Sequence, residues 1–267
     1  MFTIEILRHI SAIQNNVGDF STEPKIAYDD EQVRLVIKVH NCIQGNLVLF
    51  NEYFCYRLAK LVEINMPRSG ICVIDEKTTI FNKDITDENY GKGFFSTYID
   101  KNAPLMESII PMMKNKEEFF KILLFDHIIY NKDRNPGNLF VRYYKNNISL
   151  YVIDHSHVFV NQAIWEQNCL RRGIEERDYF NQEIMESNSY LYNMFFSYMN
   201  FQKDAMGDII ALFRENITLE AMQDIINDIP VEWLPSEDDV NMLVEYILYR
   251  LSHLEDICIT IEKYLNA

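Results

Sequence analysis

Asp133, Arg134 and Asn138 stand within the stretch NKDRNPGN, residues 131–138, and Asp154 closes the run LYVID a little further on. Carboxylates and amides in such a pattern suit a divalent cation and a transferring phosphoryl group. That transfer asks for little covalent chemistry from a protein. It needs a metal bridging the phosphates, a carboxylate that orients the nucleophile, and a cation on the phosphates. Magnesium takes oxygen ligands and keeps several waters, so one carboxylate and one amide oxygen suffice to hold it. Pro136 and Gly137 bend the loop, which lets Asp133 and Asn138 face one centre. On this reading Asp133 is the base or orienting carboxylate, Asn138 and Asp154 hold the metal, and Arg134 offsets charge nearby. Composition alone leaves a second reading open, because Asp, Asn, Pro and Gly are also the ordinary residues of a solvated turn.

The residues upstream weigh against the plain turn. Lys38 lies inside the apolar run RLVIKVH, where a lysine is costly unless it is partnered. Glu52 follows on a helical segment, so an ion pair between the two is geometrically natural. Such a pair holds the lysine on the α- and β-phosphates in kinase-type sites, whose catalytic loops share the D-x-x-x-x-N spacing of Asp133 and Asn138. The alternative for Lys38 is an edge-strand lysine that snorkels to solvent. No GxGxxG or GxxxxGK(S/T) pattern occurs. Where a phosphate-covering loop belongs, the chain reads NNVGDFSTEPKIAYDD; Gly18, Ser21 and Thr22 there either offer backbone N–H groups to phosphate oxygens or form a polar turn. His155 and His157 have metal-ligand spacing, but with no third Cys or His nearby the sequence disfavours zinc.

These side chains need a scaffold. Over the first hundred residues TIEILRHI, KIAYD, VRLVIKVH, ICVID, TTIF and FFSTYID read as strands, rich in β-branched and aromatic residues between turn signals. One helix interrupts them, from about 47 to 64, ending before Asn65 and Pro67. KEEFFKILLFDHIIY reads as a buried helix running into NKDRNPGN, and LFVRYY with SLYVID as a hairpin around KNN. From about residue 180 onward the chain reads as mainly helical. A single last helix is expected after Pro235, with Ser236 to Asp239 in the form of a capping box. The fold class is α+β: a bilobed chain with a β-rich lobe over residues 1–100, holding one helix, and a larger helical lobe over 101–267. YLYNMFFSYM, residues 190–199, reads as packing between helices.

Bulk properties bound the function. The chain has 267 residues, 48% apolar and 13% aromatic, enough for a substantial core. A net charge of -15 argues against nucleic-acid binding and against docking to anionic membranes. Five scattered cysteines without a CxxC read as reduced thiols, and no secretory leader or run of roughly 18 apolar residues is evident. The expected location is cytoplasmic.

Taken in order, VIKVH, NEYFCYRLAKLVEINMP, GKGFFSTYI, LLFDHIIYNKDRNPGNLFV, LYVIDHSHVF and IPVEWLP resemble the HipA-like kinase domain of the protein-kinase-like superfamily, from about residue 18 to 262. The resemblance implies a bilobed protein-kinase-like fold, Mg2+ and ATP as cofactors, and serine/threonine kinase activity on a protein substrate. Some relatives are bacterial toxins with a neutralising, antitoxin-like partner. By position, Lys38 would contact the phosphates, Asp133 would be the catalytic aspartate, and Asn138 and Asp154 would bind magnesium. The segment from Tyr98 to Asp100 would face the adenine, Asp126 and Asn131 would brace the loop, and Ser21 or Thr22 would be an autophosphorylation site. Many relatives carry His where this chain has Asn135. Two further functions stay open: a catalytically silent nucleotide-binding module, and a small-molecule or lipid-headgroup kinase, since type II phosphatidylinositol 4-kinases share the pattern.

Overall fold

A computed structural model describes residues 7–18 and 20–267. Six strands, β1 (Arg8–Asn16), β2 (Lys25–Asp29), β3 (Arg34–Lys38), β4 (Ser69–Ile74), β5 (Thr79–Ile80) and β6 (Gly91–Thr97), form a sheet in the order β2-β3-β6-β4-β1-β5. A further pairing between β1 and β2 closes the sheet into a ring. Alternation along the strands sends Ala27, Leu35, Ile37 and Phe95 to the inside of that ring, with Ile10 and Ile13. The antiparallel register sets Val36 opposite Ser96 and Lys38 opposite Phe94, so these four share the other face. A slip of one residue would turn Lys38 into the apolar interior.

The expected strand TIEILRHI falls partly on residues 3–6, which lie outside the described residues. The strand itself runs on through Asn16, because two edges receive it: β2 on one side, β4 and then β5 on the other. Strand β6 starts at Gly91, ahead of the expected FFSTYID, and stops at Thr97.

Helix α1 (Leu47–Leu61) buries eleven of its fifteen residues. It ends where Glu63 takes a left-handed φ of 59° and the Ile64 N–H returns to the Ala59 carbonyl. Its apolar residues belong to the same continuous core as the C-terminal helices, whereas the sheet interior forms a separate cluster. Two indoles anchor it there. Trp165 Nε1 donates to Asn51 Oδ1 at 2.9 Å, and the Trp233 ring lies edge-on to Tyr53 while its Nε1 reaches the Lys92 carbonyl at 3.1 Å.

After Thr97 the chain crosses to a second, three-stranded antiparallel sheet, β7 (Asn102–Pro104), β8 (Leu139–Tyr144) and β9 (Asn147–Val152), in the order β7-β8-β9. Helix α2 (Glu118–Ile128) is almost wholly buried; Phe119 stacks on Phe195 with ring centroids 4.1 Å apart. Around it pack α3 (Gln167–Glu175), α4 (Glu183–Ser187), α5 (Ser189–Phe196), α6 (Gly207–Asn216), α7 (Leu219–Asp228), α8 (Glu237–Ser252) and α9 (Leu254–Leu265). The single last helix expected after Pro235 is in fact two. The break falls at His253, whose ring stacks on Tyr179 at 3.9 Å while Arg250, one turn earlier, pairs with Asp178. Ser236 caps α8 as anticipated, its hydroxyl accepting from the Asp239 N–H. Among the described residues no helix is long and apolar enough to cross a membrane.

Candidate active site

Between the two sheets lies a cavity of about 250 Å³, close to the lower bound of roughly 300 Å³ usual for small-molecule sites. Val36, Phe94 and Met66 wall it on the side of the first sheet, Phe140 and Ile153 on the side of the second, and Tyr98 and Ile99 of the crossing segment close one edge. Lys38, Glu52, Asn138 and Asp154 supply its polar end. An apolar cavity leading into charged groups suits a base joined to a phosphate chain.

Each polar residue is held by an identifiable local cause. Lys38, the last residue of β3, bonds to Glu52 Oε1, to Asp154 Oδ1 at 2.9 Å and to the Ser156 hydroxyl at 2.6 Å. Glu52, inside α1, also accepts from the Ser156 hydroxyl at 2.9 Å and from the His155 N–H at 3.2 Å. Asp154 turns the chain out of β9 with a left-handed φ of 60°, a conformation Asp tolerates better than most residues. The Ser156 N–H then reaches back to its Oδ1 at 3.3 Å.

One ammonium therefore serves two carboxylates. Burial alone would lower the Lys38 pKa, but the charges of Asp154 and Glu52 outweigh it and hold the group well above the ordinary lysine value. Asp154 moves the other way: burial is overcome by Lys38, so its carboxyl sits well below the ordinary range. Burial, with Asp154 adding to it, keeps Glu52 raised despite its lysine partner. The cluster carries a net negative charge, which leaves room for a further cation.

The loop 131–138 is braced from beneath. Asp126 near the end of α2 accepts from Arg134 Nη2 at 2.8 Å and Nε at 3.1 Å, from Asn131 Nδ2 at 2.9 Å and from the Tyr192 hydroxyl at 3.0 Å. Asn131 in turn accepts the Asp133 N–H at 2.9 Å, and Asn188 Oδ1 accepts the Arg134 N–H at 2.9 Å. Arg134 also donates to the Ile153 carbonyl at 3.1 Å, next to Asp154. His155 Nε2 lies 2.9 Å from Arg134 Nη2. Burial and then the Arg134 charge hold His155 well below the ordinary histidine value, so it is neutral and accepts from the guanidinium.

Asn138 Nδ2 donates to the Asp133 carbonyl at 2.6 Å, and since a carbonyl only accepts, Oδ1 is the end left for the cavity. An amide oxygen and a carboxylate on one wall fit magnesium, which fills its remaining positions with water. Asp133 is half-buried beside Asp154, not on the cavity wall. Burial, then the Asp154 charge, raises its pKa above the ordinary aspartate value.

Lys38, Glu52, Asn138, Asp154 and Tyr98 thus converge on one cavity, with Asp133 at its border. Other expected residues do not line it. Arg134 is fully buried and turned away onto Asp126, a brace beneath the loop. Asp100 is exposed on the crossing segment, and the Tyr98 N–H is spent on the Arg34 carbonyl at 3.0 Å. In the β1–β2 turn, Val17, Phe20 and Pro24 line the cavity, whereas Gly18, Ser21 and Thr22 do not. A Cβ at Gly18 would meet the Phe20 ring at 2.9 Å, so the glycine answers to that ring. Ser21 is exposed and Thr22 buried.

Sequence reasoning missed Ser156, whose hydroxyl links Lys38 to Glu52, and nothing marks this serine from others in the chain. It also passed over Gly93, where a Cβ would stand 2.6 Å from the Lys38 carbonyl oxygen. A glycine facing the lysine strand was the available signal.

A family model described as HipA-like kinase matches residues 10–257. No curated protein matches the chain in sequence. Among solved structures, the Helicobacter pylori proinflammatory kinase CtkA is similar, with 13% identity, a TM-score of 0.58 and 96% of each chain covered. Hydra Fam20 with sugar gives a TM-score of 0.57 at 10% identity, covering 97% of this chain and 88% of that one. The Golgi casein kinase with Mn/ADP bound gives 0.54 at 10% identity, covering 94% and 73%. At these identities the likeness is one of fold.

Proposed function

The chain belongs to the HipA-like kinase family, and from that premise we propose that it is an ATP-dependent protein kinase acting on Ser or Thr hydroxyls. The observation that carries the proposal is Lys38, shared between Glu52 and Asp154 at the polar end of a cavity that also presents Asn138. A merely structural lysine would need one partner; this one bridges the first sheet, α1 and the end of β9.

Bound Mg2+ and ATP would supply the γ-phosphoryl group and a positive charge to offset that of the phosphates. Val36 and Ile153 would flank the base, and Lys38 would bind phosphate oxygens. Asn138 Oδ1 and Asp154 would hold the metal. Asp133 orients the acceptor hydroxyl and takes its proton; the O–H bond breaks, an O–P bond forms, and the bond from the γ-phosphorus to the β-phosphate oxygen breaks. A protein substrate and a restraining, antitoxin-like partner belong to the same proposal and rest on the family alone.

The experiment is transfer from labelled Mg-ATP to the chain itself and to a cell lysate, beside D133A. Labelled protein that vanishes with D133A supports the proposal. Thermal stabilisation by nucleotide with no transfer and no ATP hydrolysis would instead mark a silent nucleotide-binding module.

A further inference from the structure

Three basic side chains sit in or beside the loop that carries Asp133, and two are committed elsewhere. Lys132 Nζ lies 3.0 Å from Glu183 Oε2 and over the Tyr130 ring. Arg134 is buried on Asp126. The third is His157, half-buried, with Nδ1 at 3.7 Å from Asp133 Oδ2. That separation is within ion-pair range and about 0.5 Å longer than a hydrogen bond. His155 does not share this direction, since it faces Arg134 and the Phe125 ring. The H-x-H pair therefore diverges, one histidine under the loop and one at the carboxylate.

Asp133 needs such a tether. It stands beside Asp154, a charge of the same sign, and among the described residues its Oδ1 has only a long bond, 3.3 Å, from Asn135 Nδ2. A carboxylate that must point one oxygen at a hydroxyl loses rate steeply when it can rotate away.

We infer that His157 is the positioning residue for Asp133, its Nδ1–H holding Oδ2 so that Oδ1 keeps a lone pair toward the acceptor hydroxyl. The inference rests on the phosphoryl-transfer reading of the site. It assigns a purpose to a histidine that the metal-binding and nucleotide-binding residues leave unexplained.

The test is steady-state kinetics of the full chain with Mg-ATP for H157A, H157Q and H157N. Asn places an amide N–H close to the position of Nδ1, whereas Gln reaches toward that of Nε2. Ala and Gln are expected to lose roughly ten- to a hundredfold in kcat, with KM for ATP unchanged, because only the transition-state geometry is loosened. Asn is expected to restore most of the rate. Equal losses in H157A and H157N, or a loss confined to the KM for ATP, overturn the inference. If the wild-type chain transfers no phosphate, the functional proposal fails separately. A thermal-unfolding cycle of H157A, D133N and the double variant then decides the contact: non-additivity supports it, and additivity overturns it.

Discussion

Lys38 and Asp154 are 116 positions apart in the chain and 2.9 Å apart in the cavity, with Glu52 on the same ammonium. The three charges come from a strand of the first sheet, from α1 and from the exit of β9. Their meeting ties the polar end of the cavity to the packing of α1 against the C-terminal helices. Removing the lysine is therefore both a chemical and a structural change.

K38M is expected to abolish stabilisation by nucleotide and to destabilise the chain by about 3–5 kcal/mol, since it leaves the buried Glu52 and the partly buried Asp154 without their cation. The loss should shrink as pH falls from 7 to 5, because Glu52, already raised by burial, can then take a proton. Urea unfolding at the two pH values checks both statements.

Lys38 also sets an alkaline limit. Its folded pKa is raised, so its contribution is fully present below the ordinary value of 10.5 and is lost as pH rises from there toward the folded value. Asp154 is depressed, so its contribution is present above the ordinary 3.8 and is lost as pH falls toward the folded value. Thermal midpoints followed to pH 11 should decline more steeply for wild type than for K38M.

D133N and D154N separate transfer from binding. D133N should lose about 10²- to 10⁴-fold in kcat, the usual weight of a general base, while Mg-ATP still raises the thermal midpoint. D154N should lose the magnesium-dependent part of that rise. Since the raised Asp133 must be ionised to act, kcat of the wild type should fall with decreasing pH through a value above the ordinary 3.8. Rate profiles and thermal shifts report these outcomes.

R134A should read as a folding defect of about 3–5 kcal/mol, because Asp126 is left charged and buried. R134K should recover little, since an ammonium cannot reproduce the fork that spans Asp126 and the Ile153 carbonyl. Chemical denaturation of the two variants settles the role of this arginine as a brace.

G93A places a methyl group against the Lys38 carbonyl and must push β3 from β6. A stability loss of about 1–3 kcal/mol and a higher KM for ATP are expected, as for other overpacked sites. An unchanged KM would show that the lysine strand gives way without moving its ammonium.

Much of the site is local in origin and so is visible in the linear chain. Asp133, Pro136, Gly137 and Asn138 form their bend within eight residues, and alternation along RLVIK already sets Lys38 on the face of Val36. The strand runs, the position of α1 and the N-cap at Ser236 follow from periodicity and turn chemistry, which act over a few residues. What depends on distant partners could not be read there. Arg134 has the type and position of a site residue, yet a buried Asp126 and the end of β9 draw it inward. His155 and His157 look equivalent two apart, and the turn after Asp154 sends one beneath the loop and the other to Asp133. Helix α8 yields to α9 at His253 because Asp178 and Tyr179 pack there. Side-chain direction and charge partnership are set by groups between 8 and 116 positions away, and those meet only once the two sheets and α1 have packed around the cavity.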